Sequence, residues 1–210
     1  MPDGADRHVT IQPSTLYVGN AAMLHSTQNP DGTDNLAPAS SYWALGRMLV
    51  IGLEDGGQTI DNLHRVPELV VNFPQPELWP AIEAIGDTTG KHPVPAAKTP
   101  RYRYVHDKFA AAGLTRQDSE LVAPGRVAEC ALQLEAVVRR ITPGLGTYSI
   151  VEAEVVRVHA SPEIVAPGMT VVDPRRWQPT VYAFRHYFSL GEERGWRPSS
   201  DVGAPRPVVE

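Results

Sequence analysis

Apolar residues occur along this chain in short runs that are typical of β-strands. A run of four to eight apolar or alternating residues, bounded by turn residues, is the usual signature of a strand. In the last of these runs both sets of alternate positions include apolar side chains, which predicts a central strand. The predicted strands cover residues 15–27, 35–44, 47–53, 68–73, 126–140 and 148–159.

Turn and helix signals separate these runs. Asp31-Gly32 predicts a tight hairpin, because glycine tolerates the positive φ that such a turn requires. Pro38 indicates an edge strand or a bulge, since proline has no N–H to donate to a neighbouring strand. A helix is predicted at 59–65, with Thr59 as its N-cap. Further short helices are predicted at 78–85 and 106–114, a proline-rich loop at 91–100 and a hairpin link at 142–146.

Many short strands with two or three small helices predict a mainly β fold, a β-barrel with helical insertions. The chain lacks the regular strand–helix alternation and the Gly-x-Gly-x-x-Gly of a Rossmann domain. We expect a flexible N-terminal segment at 1–14, one domain at 15–197 and a C-terminal tail at 198–210.

Composition restricts the partners and the location of the protein. The 210 residues are 42% hydrophobic and include 20 prolines, which suits a single β-rich domain. A net charge of −5 disfavours nucleic acid as a partner. No apolar stretch approaches the ~20 residues that span a bilayer, and the polar N-terminus lacks the apolar region of a signal peptide. We therefore expect a soluble, cytoplasmic protein that binds no membrane.

Common catalytic patterns are absent from the sequence. The seven histidines include no His-x-His or His-x-x-x-His pair, so we predict no metal site. There is no Gly-x-Ser-x-Gly elbow of a serine hydrolase. The single cysteine, Cys130, lies in an apolar run, which favours a small buried hydrophobe over a nucleophile.

Two segments carry candidate chemistry. In 29–41, main chain beside Pro38 can hydrogen-bond the edge of a flat heteroaromatic ring, and two serines follow that can bind a phosphate or a ribityl hydroxyl. In 56–63, a glycine-rich turn opens a helix whose free N–H groups can bind an anion, and Thr59 and Asn62 add donors. Taken singly, each segment also fits an ordinary structure. The first fits a bulged hairpin and the second a capped helix.

Together with further short sequence motifs, these segments resemble the flavin reductase-like family of FMN-binding split barrels. The matching motifs occur in the same order as in the family, over about residues 15–195. They are Ser26-Thr27, Asp31-Gly32, Asn35-Leu36-Ala37-Pro38-Ala39-Ser40, Gln58-Thr59-Ile60-Asp61-Asn62-Leu63, Glu68-Leu69-Val70-Val71-Asn72, Ala112-Gly113-Leu114-Thr115, Pro124-Gly125-Arg126-Val127-Ala128-Glu129 and Tyr187-Phe188-Ser189-Leu190-Gly191-Glu192.

The resemblance implies a homodimer of split barrels with FMN near the subunit interface. It also implies an NAD(P)H:flavin reductase that supplies reduced flavin to a flavin-dependent monooxygenase. In such chemistry a hydride passes from nicotinamide C4 to flavin N5, and the protein supplies orientation and electrostatics. The residues that the resemblance assigns to FMN are Asn35, Leu36, Ala37, Pro38, Ser40, Ser41, Thr59, Asn62 and Leu63, with Arg185 and His186 as candidates on the nicotinamide or substrate side.

Two departures from the family pattern leave alternatives open. The cation that often precedes the Thr-x-x-Asn motif is missing and Glu54 and Asp55 lie upstream, so phosphate affinity requires another cation. The stretch 183–186 replaces the usual glycines, and its bulky side chains can block the dinucleotide or recognise a different substrate. The alternatives are an FMN-retaining enzyme acting directly on a small organic substrate, FAD in place of FMN, a flavin- or ligand-binding barrel without turnover, and a purely structural module. The candidate replacement cations are Arg47, Arg65 and Arg185.

Overall fold

The structure is a computed structural model, and it describes residues 8–195. Within that range the chain forms a mainly β fold with three short α-helices, as the sequence predicts. The helices are α1 (Gln58–Arg65), α2 (Trp79–Ala84) and α3 (Lys108–Ala112). The strands are β1 (Val18–Ala21), β2 (Met23–Gln28), β3 (Asp34–Ala39), β4 (Tyr42–Leu45), β5 (Met48–Glu54), β6 (Glu68–Phe73), β7 (Thr88–Thr89), β8 (Arg103–Tyr104), β9 (Arg116–Gln117), β10 (Arg126–Val127), β11 (Leu132–Pro143), β12 (Tyr148–Ala160), β13 (Val181–Ala183) and β14 (His186–Phe188).

A seven-stranded antiparallel sheet forms the barrel, in the order β3-β2-β6-β11-β12-β5-β4. β12 lies inside this sheet between β11 and β5, which confirms the predicted central strand. Its residues Val151, Ala153 and Val155 are buried, whereas Glu152 and Glu154 on the other face pair with arginines of β11. A smaller sheet, β1-β13-β14, lies apart from the seven strands.

The β2–β3 hairpin and the edge position of Pro38 also agree with the sequence prediction. The Asn29 amide donates to the carbonyl of Thr33 at 2.7 Å, and Gly32 has a φ of +84°. Because β3 pairs only with β2 in the sheet, the missing N–H of Pro38 interrupts no ladder on its outer side. The main chain at Pro38 therefore faces open space along the strand edge.

Three local predictions are wrong. The predicted strand 35–44 forms two strands, β3 and β4, which lie at opposite edges of the seven-stranded sheet. Helix α1 begins at Gln58 after an N-cap at Gly57, and the Thr59 hydroxyl instead accepts a hydrogen bond from Asn35. The predicted strand 126–140 is broken into β10 and β11, because residues 128–131 turn away from the sheet. The amide of Gln133 stabilises that turn by donating to the carbonyls of Val127 and Cys130.

The buried apolar side chains form two clusters on opposite sides of β2. One lies between the sheet and α1, and it includes Met23 and Leu63. The other lies beneath α2 and α3, and it includes Leu24, Leu36 and Cys130. Burial raises the pKa of the Cys130 thiol, which fits the interpretation of this cysteine as a small buried hydrophobe.

The ends of the predicted domain stay predictions. Residues 8–14 form no helix or strand, whereas 1–7 and the predicted tail 198–210 lie outside the described residues. Over 8–195 no helix combines the length and the apolar character that a membrane span requires.

Candidate functional site

Two adjoining pockets form one groove along the free edge of β3. A polar end of about 170 Å³ lies between β3, the start of α1 and the loops around Thr89 and Lys98. An aromatic end of about 620 Å³ continues from it past Ser40 to β13 and β14. The two ends share Pro38, Gly86 and Tyr102 as lining residues. The groove therefore has the division into polar and aromatic parts that a ring with a charged tail requires.

Two largely buried lysines line the polar end. Lys108 is only 3% exposed, and burial, followed by repulsion from Lys98, lowers its pKa to about 8. The side chain of Lys98 is 17% exposed and lies 3.5 Å from the carboxylate of Glu54. Two partly desolvated cations beside the N-terminus of the eight-residue helix α1 favour an anion such as a phosphate at this end.

The polar end also contains an unpaired buried acceptor. Asn35 donates from Nδ2 to the Thr59 hydroxyl at 3.1 Å, while its buried Oδ1 has no hydrogen-bond partner among residues 8–195. Gly90 leaves room beside this atom, since a Cβ at that position would lie 2.6 Å from Asn35 Oδ1. An unsatisfied buried acceptor is costly, so a ligand hydroxyl that donates to Oδ1 would stabilise the site. A ribityl phosphate supplies both the hydroxyl and the charge.

Aromatic side chains form a continuous wall at the other end of the groove. The rings of Tyr17 and Tyr182 lie 5.7 Å apart, those of Tyr182 and Tyr187 5.2 Å, and those of Tyr187 and Trp79 6.1 Å between centroids. The Tyr17 hydroxyl shares a hydrogen bond with Ser41 Oγ at 2.7 Å. The Tyr187 hydroxyl donates to a carboxylate oxygen of α2 at 2.6 Å. These hydrogen bonds fix the hydroxyls of Tyr17 and Tyr187. The aromatic rings therefore present a surface on which a planar ligand can pack.

Six of the predicted site residues line the groove. Asn35, Ala37 and Thr59 line the polar end, Ser40 and Arg185 line the aromatic end, and Pro38 belongs to both. Ser41 and the exposed His186 line neither end of the groove. Ser41 is hydrogen-bonded to the hydroxyl of Tyr17 in the aromatic wall.

Three other predicted residues are buried away from the groove. The side chains of Leu36 and Leu63 lie in the two apolar clusters. The amide of Asn62 donates to Thr27 and to Asn29, each at 3.1 Å, and accepts from Gln58 at 2.8 Å. Asn62 therefore holds α1 against the β2–β3 hairpin, and its influence on a ligand is through positioning.

The cations of the polar end were missed from the sequence. Of the three arginines considered, Arg47 lines neither end, Arg65 donates to the carbonyl of Gln28, and Arg185 lies at the aromatic end. Lys98 belongs to a proline-rich segment and Lys108 opens a short helix, and both positions resemble ordinary surface lysines. No local pattern distinguishes them, because only the packing of their segments against β3 and α1 buries them.

The chain matches a known protein family over most of its length. The family described as Flavin reductase like domain matches residues 17–191, and the chain therefore belongs to the flavin reductase-like family of flavin-dependent oxidoreductases. YdfE, an uncharacterized protein of Bacillus subtilis (strain 168), is 40% identical over 192 residues, which cover 90% of this chain and 92% of YdfE.

Solved structures confirm the split-barrel fold. Flavoredoxin of Desulfovibrio vulgaris (Miyazaki F) superposes with a TM-score of 0.76 at 17% identity, over 90% of this chain and 96% of that one. Nitrilotriacetate monooxygenase component B from Bacillus cereus superposes with a TM-score of 0.71 at 18% identity, over 91% of this chain and 100% of that one. The 2-nitrobenzoate 2-nitroreductase NbaA of Pseudomonas fluorescens superposes with a TM-score of 0.72 at 16% identity, over 91% of this chain and 89% of that one. At these identities the likeness concerns the fold alone.

Proposed function

We propose that this protein is an FMN-dependent oxidoreductase, in its simplest form an NAD(P)H:flavin reductase that supplies reduced flavin to a monooxygenase. The observation that carries the proposal is the polar end of the groove, where the partly buried Lys98, the buried Lys108 and the unpaired Oδ1 of Asn35 match a ribityl phosphate. The similarity to a monooxygenase component B supports a partner of that class. FAD remains the alternative cofactor.

In this proposal each part of the groove holds one part of FMN. Lys98, Lys108 and the first N–H groups of α1 bind the phosphate, and Asn35 accepts from a ribityl hydroxyl. Main chain from Pro38 to Ser40 would hold the edge of the ring. When bound, the flavin would supply the redox chemistry of a hydride acceptor. The protein's own residues bind and orient the reactants.

The carboxylates upstream of α1 do not oppose this assignment. Glu54 lies 3.5 Å from Lys98, so its charge is offset within the site. Asp55 accepts a hydrogen bond from the Ser149 hydroxyl at 2.6 Å and does not line the polar end. Two lysines therefore replace the cation that the family pattern has and this chain lacks. Together with Glu54 they give the polar end a net positive charge for a phosphate dianion.

We further propose that a second copy of the chain covers the outer face of β4, β5 and β12. Trp43, Met48, Tyr148 and Ile150 are exposed there, and the strand register brings them onto one face. Several exposed apolar side chains on one face are typical of a protein–protein interface, and Glu152 and Glu154 on the same face of β12 are paired with arginines. β5 also contributes lining residues to the polar end of the groove, so a homodimer would bring this face and the flavin site close together.

A second candidate function is an enzyme that keeps its FMN and acts directly on a small organic substrate. The bulky Phe184-Arg185 pair favours it, since Arg185 lines the groove where relatives have small residues. NbaA, a neighbour in fold, is a nitroreductase. This candidate differs from the first in the fate of the flavin, which stays bound during turnover.

Anaerobic mixing of the FMN-loaded protein with NADH and, separately, with NADPH tests the proposal. Loss of the visible flavin absorbance with either nucleotide is the expected result. Release of reduced flavin on gel filtration then supports the reductase, and retention supports the second candidate. A protein that quenches no FMN fluorescence and bleaches with neither nucleotide would overturn both.

A further inference from the structure

The turn between β13 and β14 has an unusual backbone conformation. Ala183 pairs with His186, so Phe184 and Arg185 are the two central residues of a tight hairpin. Their φ angles are 45° and 72°, the left-handed values of a type I′ turn. Asn-Gly is the preferred pair at these positions, and bulky residues there carry steric strain. The sequence therefore retains a strained pair where a relaxed one would fold more easily.

The surrounding structure fixes this turn beside the groove. The Phe184 amide donates to the carbonyl of Tyr17 at 2.9 Å, and β13 pairs along β1. Arg185 consequently lines the aromatic end, next to Tyr182 and Tyr187. Strain that persists at the wall of a ligand groove is an indication of a functional residue.

Arg185 is the lining cation without a partner at this end. Arg101 donates to Asp87 at 3.0 Å, and the carboxylate of Glu83 accepts from Tyr187 at 2.6 Å. Within residues 8–195, Arg185 makes no hydrogen bond or ion pair with another residue. The aromatic wall thus ends at an unpaired guanidinium whose planar fork matches a carboxylate.

We propose that Arg185 determines substrate specificity by binding the carboxylate of a planar aromatic acid whose ring packs on the tyrosine wall. The inference rests on the second candidate of the proposed function, because the organic substrate of an FMN-retaining enzyme would lie in this groove. A dinucleotide has two phosphates and an adenosine, whereas Arg185 is, among the described residues, the one arginine lining this end that is not paired with a carboxylate. A monocarboxylate with a single ring fits that charge and that surface.

Binding of benzoate and benzamide to the FMN-loaded protein tests the proposal, since the two probes differ in charge and scarcely in shape. Isothermal titration should give wild-type protein a preference for benzoate of about tenfold, the lower bound for a charge-assisted hydrogen bond. Arg185→Gln should abolish the preference and leave benzamide affinity unchanged. The matched control Arg175→Gln, which removes an exposed arginine paired with Glu193, should keep the preference.

A second variant separates recognition from folding. Arg185→Gly relieves one positive φ, so it should raise the melting temperature by about 2–4 °C while losing the preference for benzoate. Equal binding of the two probes to wild-type protein, or an unchanged preference in Arg185→Gln, would overturn the inference. If FMN also binds and bleaches normally in these samples, the proposed function survives that failure, whereas absence of FMN binding would overturn both.

Discussion

His25 in β2 is expected to make folding stability depend on pH. Its side chain is 0% exposed, and neither ring nitrogen has a hydrogen-bond partner among residues 8–195. Burial lowers the pKa of His25 from 6.5 to about 4. Between these two values the unfolded chain binds a proton that the folded chain excludes, so stability falls as the pH falls.

The size of the effect follows from the pKa shift. A shift of one unit corresponds to about 1.4 kcal/mol, so the full shift of His25 corresponds to about 3 kcal/mol, lost progressively between pH 6.5 and pH 4. At about pH 5 the loss amounts to roughly 2 kcal/mol. Replacing His25 by leucine removes the titrating group and two unpaired polar atoms, at the cost of a modest change of shape.

Urea unfolding of wild-type protein and His25→Leu, followed by tryptophan fluorescence at several pH values, measures this term. The variant should gain stability relative to wild type by roughly 2 kcal/mol between about pH 7.5 and pH 5. Other groups titrate in both proteins and cancel in the difference. The matched control His64→Leu, which removes an exposed imidazole, should show no such gain. Parallel pH profiles for wild type and His25→Leu would refute the argument.

Three further predictions concern other parts of the fold. Asn62→Ala removes three side-chain hydrogen bonds and should lower the free energy of unfolding by about 2–3 kcal/mol; a loss below about 0.5 kcal/mol in urea unfolding would show that Asn62 does not hold α1 in place. Glu135→Ala removes a fully buried carboxylate that accepts from two backbone amides and His159, and should cost about 3 kcal/mol in the same assay; an unchanged midpoint would contradict this. Trp43→Arg should shift sedimentation from dimer to monomer, and a variant that sediments as wild type does would argue against the proposed interface.

The parts of the fold that depend on local signals could be predicted from the sequence. Asp31-Gly32 specified the β2–β3 hairpin, and the pattern around Val151 specified a central strand. Gly113, with a φ of +66°, ends α3 as a glycine stop should. In each case the residues that determine the structure are neighbours in the chain.

The parts that depend on distant contacts could not be predicted. Thr59 looked like an N-cap, but a hydrogen bond with Asn35 of β3 occupies its hydroxyl. Asn62 looked like a phosphate ligand, but the β2–β3 hairpin surrounds its amide. Lys98 and Lys108 gave no signal at all, because their burial arises only when the segments that contain them pack over the groove.

Comparison of FMN with riboflavin tests the central claim most directly, because the two ligands differ only in the phosphate. Fluorescence titration should show that wild-type protein binds FMN more tightly than riboflavin. Lys108→Met should weaken FMN binding about 10- to 100-fold and leave riboflavin unchanged, while the control Lys91→Met, at a partly exposed ion pair with Asp61, should change neither.

The FMN advantage in wild-type protein should also decline as the pH rises through about 8, where Lys108 loses its proton. Equal affinities of wild-type protein for the two flavins, or equal losses for both in Lys108→Met, would contradict the assignment of the phosphate to the buried lysines.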